Sequence, residues 1–411
     1  MNKIAILILF LLMPFLGFLI RMTTLETADL ISKITKTLLV YIISLLVVAK
    51  YRLIDKECNK YLGITLFLAI PYLIHFFFSK SNTELFNIFA MNELIVLLYM
   101  IIIFIISSML AFKANDYYFL IWSFVIYGIA LAVLSIWFSI SIKPTKYFYM
   151  YVGKFLRAGT EITDSNMLAA ILNICSIAAI TVYLIEKNIL KKFFSLLAFF
   201  ISQAGRFLTF STGGFFSIII SLIVLFLFLK GKDKGKMTKF ILIVLVIASA
   251  IIMTSGMGEI LFYRLKLSDE AVKQSSVYSR LEQHTEFIRI VKQNPLILVY
   301  GVGSARLPEL LGLNITLHNS YLRPLAIGGI SSFVAIILLY WLSFKNFQIS
   351  FKYSTDSKTR IVTASFFAAF IGWLFQLATL PADVSGVNLF FFSFAYSLKR
   401  SVRRDYENRH Y

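Results

Sequence analysis

This chain is short of charge. Of its 411 residues only 15% are Asp, Glu, Lys or Arg and 59% are hydrophobic, whereas a soluble domain carries about a quarter charged residues. There is too little polar surface to enclose a water-soluble core, which excludes an ordinary globular protein. Cysteine is scarcer still, with two residues. Cys58 falls in a basic segment between apolar runs and Cys175 inside such a run, so the two cannot meet and neither a disulfide nor a thiolate metal site is supported. No HExxH or Cys-His cluster occurs, and "GKDKGK" lacks the P-loop spacing. The acidic residues Glu161, Asp164, Glu259 and Asp383 stand isolated rather than as a paired-carboxylate motif. No metal and no cofactor is therefore expected.

What the chain has in abundance is apolar runs of bilayer length, for which a helix needs about 20 residues. Twelve are read, near residues 4–20, 30–49, 62–79, 93–112, 117–141, 166–185, 190–205, 211–229, 239–255, 325–344, 360–379 and 386–398. The expected fold is an all-α, multi-pass transmembrane domain over residues 1–411. One long loop, 256–324, separates spans nine and ten.

A net charge of +19 suggests nucleic acid only until its distribution is considered. In a polytopic chain, Lys and Arg accumulate in cytoplasmic segments. With the amino terminus inside, 23 of the 40 basic residues fall in inside segments, among them "KGKDKGKMTK" and "KRSVRRDYENRH". Both termini are then cytoplasmic, and no nucleic-acid partner is expected. The exceptions are informative. Twelve outside basic residues sit in two loops: Lys143, Lys146, Lys154 and Arg157 in 142–165, and Arg264, Lys266, Lys273, Arg280, Arg289, Lys292, Arg306 and Arg323 in 256–324. Long loops are translocated whatever their charge, so a solvated domain explains the second. The short basic loop beside it favours an anionic ligand, which arginine forks hold bidentately if it bears phosphates.

Within the long loop, Tyr278, Leu281, Phe287, Ile288 and Val291 approximate a helical spacing, after Ser275 and Ser276 and before Pro295. An amphipathic helix at the outer membrane surface is predicted. Gly301, Gly303 and Gly312 mark tight turns. His284 reads as an exposed or interfacial residue of that helix. His318 immediately precedes an apolar span; a backbone hydrogen bond at the interface and catalysis are equally compatible with its position, since an imidazole of unperturbed pKa about 6.5 is available near neutrality.

Three stretches, in order, resemble the bacterial O-antigen polymerase and O-antigen ligase superfamily of membrane glycosyltransferases of the C type. "RAGTEITDSNMLAAIL" is similar to an Arg, Gly, Asp-Pro-Asn segment opening a span, with Ser165 in place of the proline. "LTFSTGGFFSIII" is similar to a Thr-x-Ser-Arg-Gly segment, with Thr212 in place of the arginine and Arg206 the nearest substitute. "SRLEQHTEFIRIVKQNPLILVYGVGSARLPELLGLNITLHNSYLRPLAIGGI" resembles the long outer loop, from an arginine through Asn-Pro and Gly-x-Gly to His-Asn.

The resemblance implies an enzyme that moves a glycan from undecaprenyl diphosphate to a sugar hydroxyl on the outer face of the bacterial cytoplasmic membrane, with inversion and without metal. It implies His318 as the base, Arg157, Arg280, Arg206 and Arg289 on the diphosphate, and Asn166, Asn319, Tyr321, Gly301 and Gly303 in support; by its own position, just before a span, Asn319 caps or orients that span. The expected partners are the lipid-linked oligosaccharide donor and acceptor, the bilayer, chain-length regulators and flippases. The polymerase pattern is the nearer one; a ligase delivering the glycan to lipid A core is the alternative. A non-enzymatic flippase would carry charge deep in several spans, where Lys33 and Lys36 are the main such pair.

Overall fold

The computed structural model describes residues 56–78, 93–94, 97, 114–141, 151–152, 155–156, 165–255, 276–312, 317–380, 382 and 385–410. The predicted spans at 4–20 and 30–49 lie outside these residues, as does most of 93–112. Helix α1 is Lys56–Phe78 and α2 is Ala114–Ser141. A two-residue antiparallel ladder follows, β1 Tyr151–Val152 with β2 Phe155–Leu156. Then come α3 Ser165–Ile185, α4 Ile189–Leu208, α5 Thr212–Phe228 and α6 Gly231–Ser255. The long loop contributes α7 Ser276–Gln293 and two single turns, α8 Ile297–Tyr300 and α9 Leu307–Leu310. The chain closes with α10 Leu322–Tyr353, α11 Ser357–Leu377 and α12 Gly386–His410.

This is an all-helical membrane protein in its described residues apart from that short ladder. Five helices there are long and apolar enough to cross a bilayer: Cys58–Phe78, Tyr117–Trp137, Ser165–Ile185, Leu322–Tyr353 and Ser357–Leu377. Thr212–Phe228 is apolar but shorter. The predicted spans at 190–205, 239–255 and 386–398 are also helices, but α6 starts within the Lys-rich run and α12 continues through the basic tail. Both runs were read as loop or tail. Lysine and arginine have good helix propensity, so charge alone did not end these helices.

Helix α3 is the hub. It is buried along nearly its whole length, between α2, α4, α5 and α11. Apolar side chains gain little by leaving lipid for protein, so such contacts depend on close packing and on hydrogen bonds. Accordingly a Cβ on Gly205 of α4 would lie 2.7 Å from that of Ala132 on α2. Buried hydroxyls return to their own helices: Ser176, Thr181 and Ser343 donate to the carbonyl four residues back. Phe347, Phe366, Phe370, Phe390 and Phe394 fill the space between α10, α11 and α12 with stacked and edge-on rings.

The helix directions define two ends. At one, α3 finishes and α4, α6 and α11 begin; Lys236 donates to the Leu184 carbonyl at 3.1 Å and Ser357 to Asp233 at 2.8 Å. This end carries Lys187, Lys191, Lys192, Lys230, Lys358 and Arg360. Burial by itself would raise the Asp233 carboxyl, but hydrogen bonds from Lys236 and Ser357, with the Lys236 charge, hold it below the usual range. At the opposite end α3, α5 and α10 begin and α4 and α11 finish.

Candidate functional site

All three sequence segments arrive at that second end. The first opens α3, where Ser165 and Asn166 are buried. The Asn166 carbonyl accepts from Gln376 Nε2 at 2.6 Å, and Asn173, two turns on, donates through Nδ2 to the Gly214 carbonyl at 2.8 Å. So α3 is joined there to both α11 and α5.

The second segment is the turn from α4 to α5. It is tight because Phe210 takes a left-handed φ of 49°, a conformation uncommon outside glycine. Ser211 then caps α5, its Oγ accepting the Gly214 N–H at 3.1 Å. Gly213 must lack a side chain here: a Cβ would stand 2.6 Å from Thr379 Oγ1 at the end of α11. Arg206 occupies the last turn of α4, only 8% exposed. Its Nε donates to Gln203 Oε1 at 2.8 Å, Gln203 in turn donates to Ser176 at 2.7 Å, and its guanidinium lies 5.5 Å from the centre of the Phe215 ring. Among the described residues no carboxylate pairs with it. A buried ion without a counter-charge costs on the order of several kcal/mol. That cost is placed beside the start of a 17-residue helix, whose dipole also favours an anion.

The third segment lies over the same end. Its glycines serve a broken helix: α10 departs from helical geometry at Gly329, with φ 70° and ψ −163°. A continuous helix would direct the Ala326 and Ile327 carbonyls to residues four further on; instead they accept the N–H groups of Val302 and Gly303, each at 2.9 Å. The approach admits no side chain at either partner, since a Cβ on Gly301 would collide with the Ile327 carbonyl and one on Gly329 with that of Val299. Gly301 and Gly303 take φ of 75° and 82°. His75 of α1 supports the arrangement, Nε2 donating to the Tyr300 carbonyl at 2.7 Å.

Beyond these turns, His318 is half-buried and its backbone N–H donates to Gln283 Oε1 on α7 at 3.0 Å. Asn319 caps α10, as the sequence suggested: its Oδ1 accepts the N–H groups of Tyr321 and Leu322 at 2.9 and 3.1 Å. The next two residues bind the segment to the end of α11. Ser320 N–H donates to the Leu377 carbonyl at 3.0 Å and its hydroxyl to that of Leu380. Tyr321 Oη donates to the Leu374 carbonyl at 2.5 Å. Thus Asn166 and the segment that carries His318 and Asn319 are both tied to α11, Asn166 through Gln376 and the segment through Ser320 and Tyr321, and the start of α5 lies against α11 at Thr379.

Not every expected residue joins this group. Arg157 lies outside the described residues. Arg280 is half-buried on α7, one turn before His284. Arg289 is exposed and engaged by Glu286, with Nε and Nη2 donating to the carboxylate at 2.9 and 2.5 Å. The predicted apolar stripe of α7 is divided: Phe287 is buried while Leu281 and Ile288 are 61% and 55% exposed. The inward face includes Gln283 and His284 instead. His284 was read as exposed or interfacial, but it is half-buried and its imidazole is held below its ordinary pKa, first by burial and then by the Arg280 charge. Gln376 was also missed, although a glutamine within an apolar span is a signal in its own right.

Residues 196–337, from α4 to the broken part of α10, match the family model described as O-Antigen ligase. The match covers the second and third segments and supports the resemblance to the O-antigen ligase and polymerase superfamily. A search of curated proteins gave no match.

Proposed function

We propose that the O-antigen ligase domain at 196–337 makes this protein a membrane glycosyltransferase that polymerises a bacterial surface polysaccharide from undecaprenyl-diphosphate-linked oligosaccharide. The observation that carries the reading is Arg206: a buried guanidinium in the last turn of α4 that no carboxylate pairs among the described residues, beside the start of α5 and on the end of the bundle that holds His318. It is the arginine nearest in sequence to Thr212, the position at which the resemblance places an arginine. Arg206 and Arg280, with Arg157 from the preceding loop, hold the diphosphate of the donor.

The His318 imidazole takes the proton of the attacking hydroxyl on the acceptor sugar. As that oxygen bonds to the donor's anomeric carbon from the opposite side, the bond from carbon to diphosphate oxygen breaks. Its electron pair leaves on undecaprenyl diphosphate, and the configuration inverts. Charge developing on the leaving oxygen is what the arginines stabilise, an electrostatic contribution worth most where water is excluded. The lysine-rich end faces the cytoplasm by the positive-inside rule, so the site faces outward, where flipped lipid-linked sugars are presented.

A second reading, in keeping with the family description O-Antigen ligase, is a ligase; its acceptor would be lipid A core. One assay separates the two. Purified protein is given the lipid-linked repeat alone, or the repeat together with lipid A core. A product ladder in the first mixture supports the polymerase; product only in the second supports the ligase. No transfer in either would overturn both.

A further inference from the structure

Helix α7 meets the His318–Asn319 pair with two consecutive side chains. Gln283, 2% exposed, accepts the His318 backbone N–H at 3.0 Å. His284 places Nε2 3.5 Å from Asn319 Nδ2. The orientation of that amide is determined by its cap, because Oδ1 takes two backbone N–H groups at 2.9 and 3.1 Å. Turning it over would abandon both and direct N–H against N–H, so Nδ2 is the group facing the ring. An amide NH₂ only donates, and His284 Nε2 must therefore accept, which requires a neutral imidazole with its proton on Nδ1. The cationic Arg280 one turn earlier on the same helix disfavours a second positive charge at this place.

We propose that His284 is a positioning residue for His318, acting through Asn319 as a neutral acceptor while Gln283 holds the His318 backbone. This inference rests on the reading of His318 as the base. The two contacts fix the start of α10 against α7, and with it the place from which the His318 ring reaches the acceptor hydroxyl. Arg280 lies on the same helix, so the clamp also sets the separation of base from diphosphate.

The test uses the full-length protein in detergent with the undecaprenyl-diphosphate-linked oligosaccharide extracted from source cells lacking this gene. Initial rates and melting temperatures are measured for His284→Ala, His284→Gln and His284→Lys, with His318→Gln as the reference. His284→Ala is expected to lower kcat about 10- to 100-fold, the cost of a slight misplacement of a reacting group, with KM changed by no more than about threefold. His284→Gln, whose Oε1 can accept from Asn319, recovers most of that loss; His284→Lys, which only donates, does not. Wild-type kcat in both His284→Ala and His284→Lys overturns the inference, and so does a His284→Gln no better than His284→Ala. If His284→Ala fails to fold, the comparison of His284→Gln with His284→Lys decides. Wild-type turnover in His318→Gln overturns the base reading instead, and is distinguished by that variant alone.

Discussion

At the scale of single residues, the proposed base, His318, is half-buried beside polar side chains, whereas Arg206 is buried. His318→Ala is expected to lower turnover by about 10²- to 10⁴-fold, the usual worth of a positioned general base. Its melting temperature should stay close to wild type, because the bond to Gln283 uses the backbone of His318; turnover and melting are measured on one purified preparation. Arg206 should behave in the opposite manner to a structural arginine. Removing an uncompensated buried charge relieves a desolvation cost, so Arg206→Met is expected to melt at the wild-type temperature or higher while transfer collapses. Arg206→Lys keeps the charge but loses the planar fork and should also be impaired. A large fall in melting temperature for Arg206→Met would assign the residue to architecture. Acid conditions bear on His284. Its folded pKa lies below the ordinary value for histidine, so its neutral contact with Asn319 is present at neutral pH and is lost as pH falls through that depressed pKa. Arg280 on its own helix and Asn319 on the facing segment are the groups it meets. Turnover should fall on that acid limb, and the fall should be flatter in His284→Gln, whose side chain does not titrate.

At the scale of elements, the broken helix α10 is the part on which the loop is built. Backbone groups freed within a membrane must be satisfied by protein, and here the Gly301–Gly303 segment supplies the donors. Gly329→Ala places a side chain in left-handed backbone against the Val299 carbonyl. It should cost roughly 1–3 kcal/mol in backbone strain and lower turnover with it. Both are read from melting temperature and rate on the same sample. The cap of α5 is a milder test. Ser211→Ala removes the acceptor for the Gly214 N–H and should cost about 1 kcal/mol, with a larger effect on transfer because the same turn carries Arg206.

At the scale of the whole molecule, the two ends differ in charge, from which an orientation in the membrane is predicted. Leu281→Cys on α7 and Lys187→Cys between α3 and α4 are both at exposed positions, while Cys58 and Cys175 are buried. In intact cells an impermeant thiol reagent should label the first and reach the second only after the membrane is opened. The reverse pattern would place the site in the cytoplasm and overturn the outward reading. At the lysine-rich end, the Asp233 link to Ser357 joins α6 to α11. With its carboxyl held below the usual range, that link stabilises the fold at neutral pH and is lost only as pH falls through the depressed value.

Periodicity and composition were enough to read a multi-pass helical membrane protein, because bilayer-length apolar runs have few alternatives to a helix. They also placed the caps and turns at Asn319, Gly301 and Gly303, since these depend on local backbone conformation. Which face of α7 turns inward was not legible. Leu281 and Ile288 have the spacing of a buried stripe, yet the apolar environment they were read into is supplied to Phe287, and Gln283 and His284 face the His318 segment. A hydrophobic pattern loses its meaning where one side of a helix meets protein and another can meet lipid. The neutrality required of His284, the lack of a carboxylate partner for Arg206 among the described residues and the pairing of a loop with a broken helix all depend on residues more than twenty positions apart or on other helices. Only the packed chain brings those partners within hydrogen-bond reach, and that juxtaposition is what tertiary structure decided.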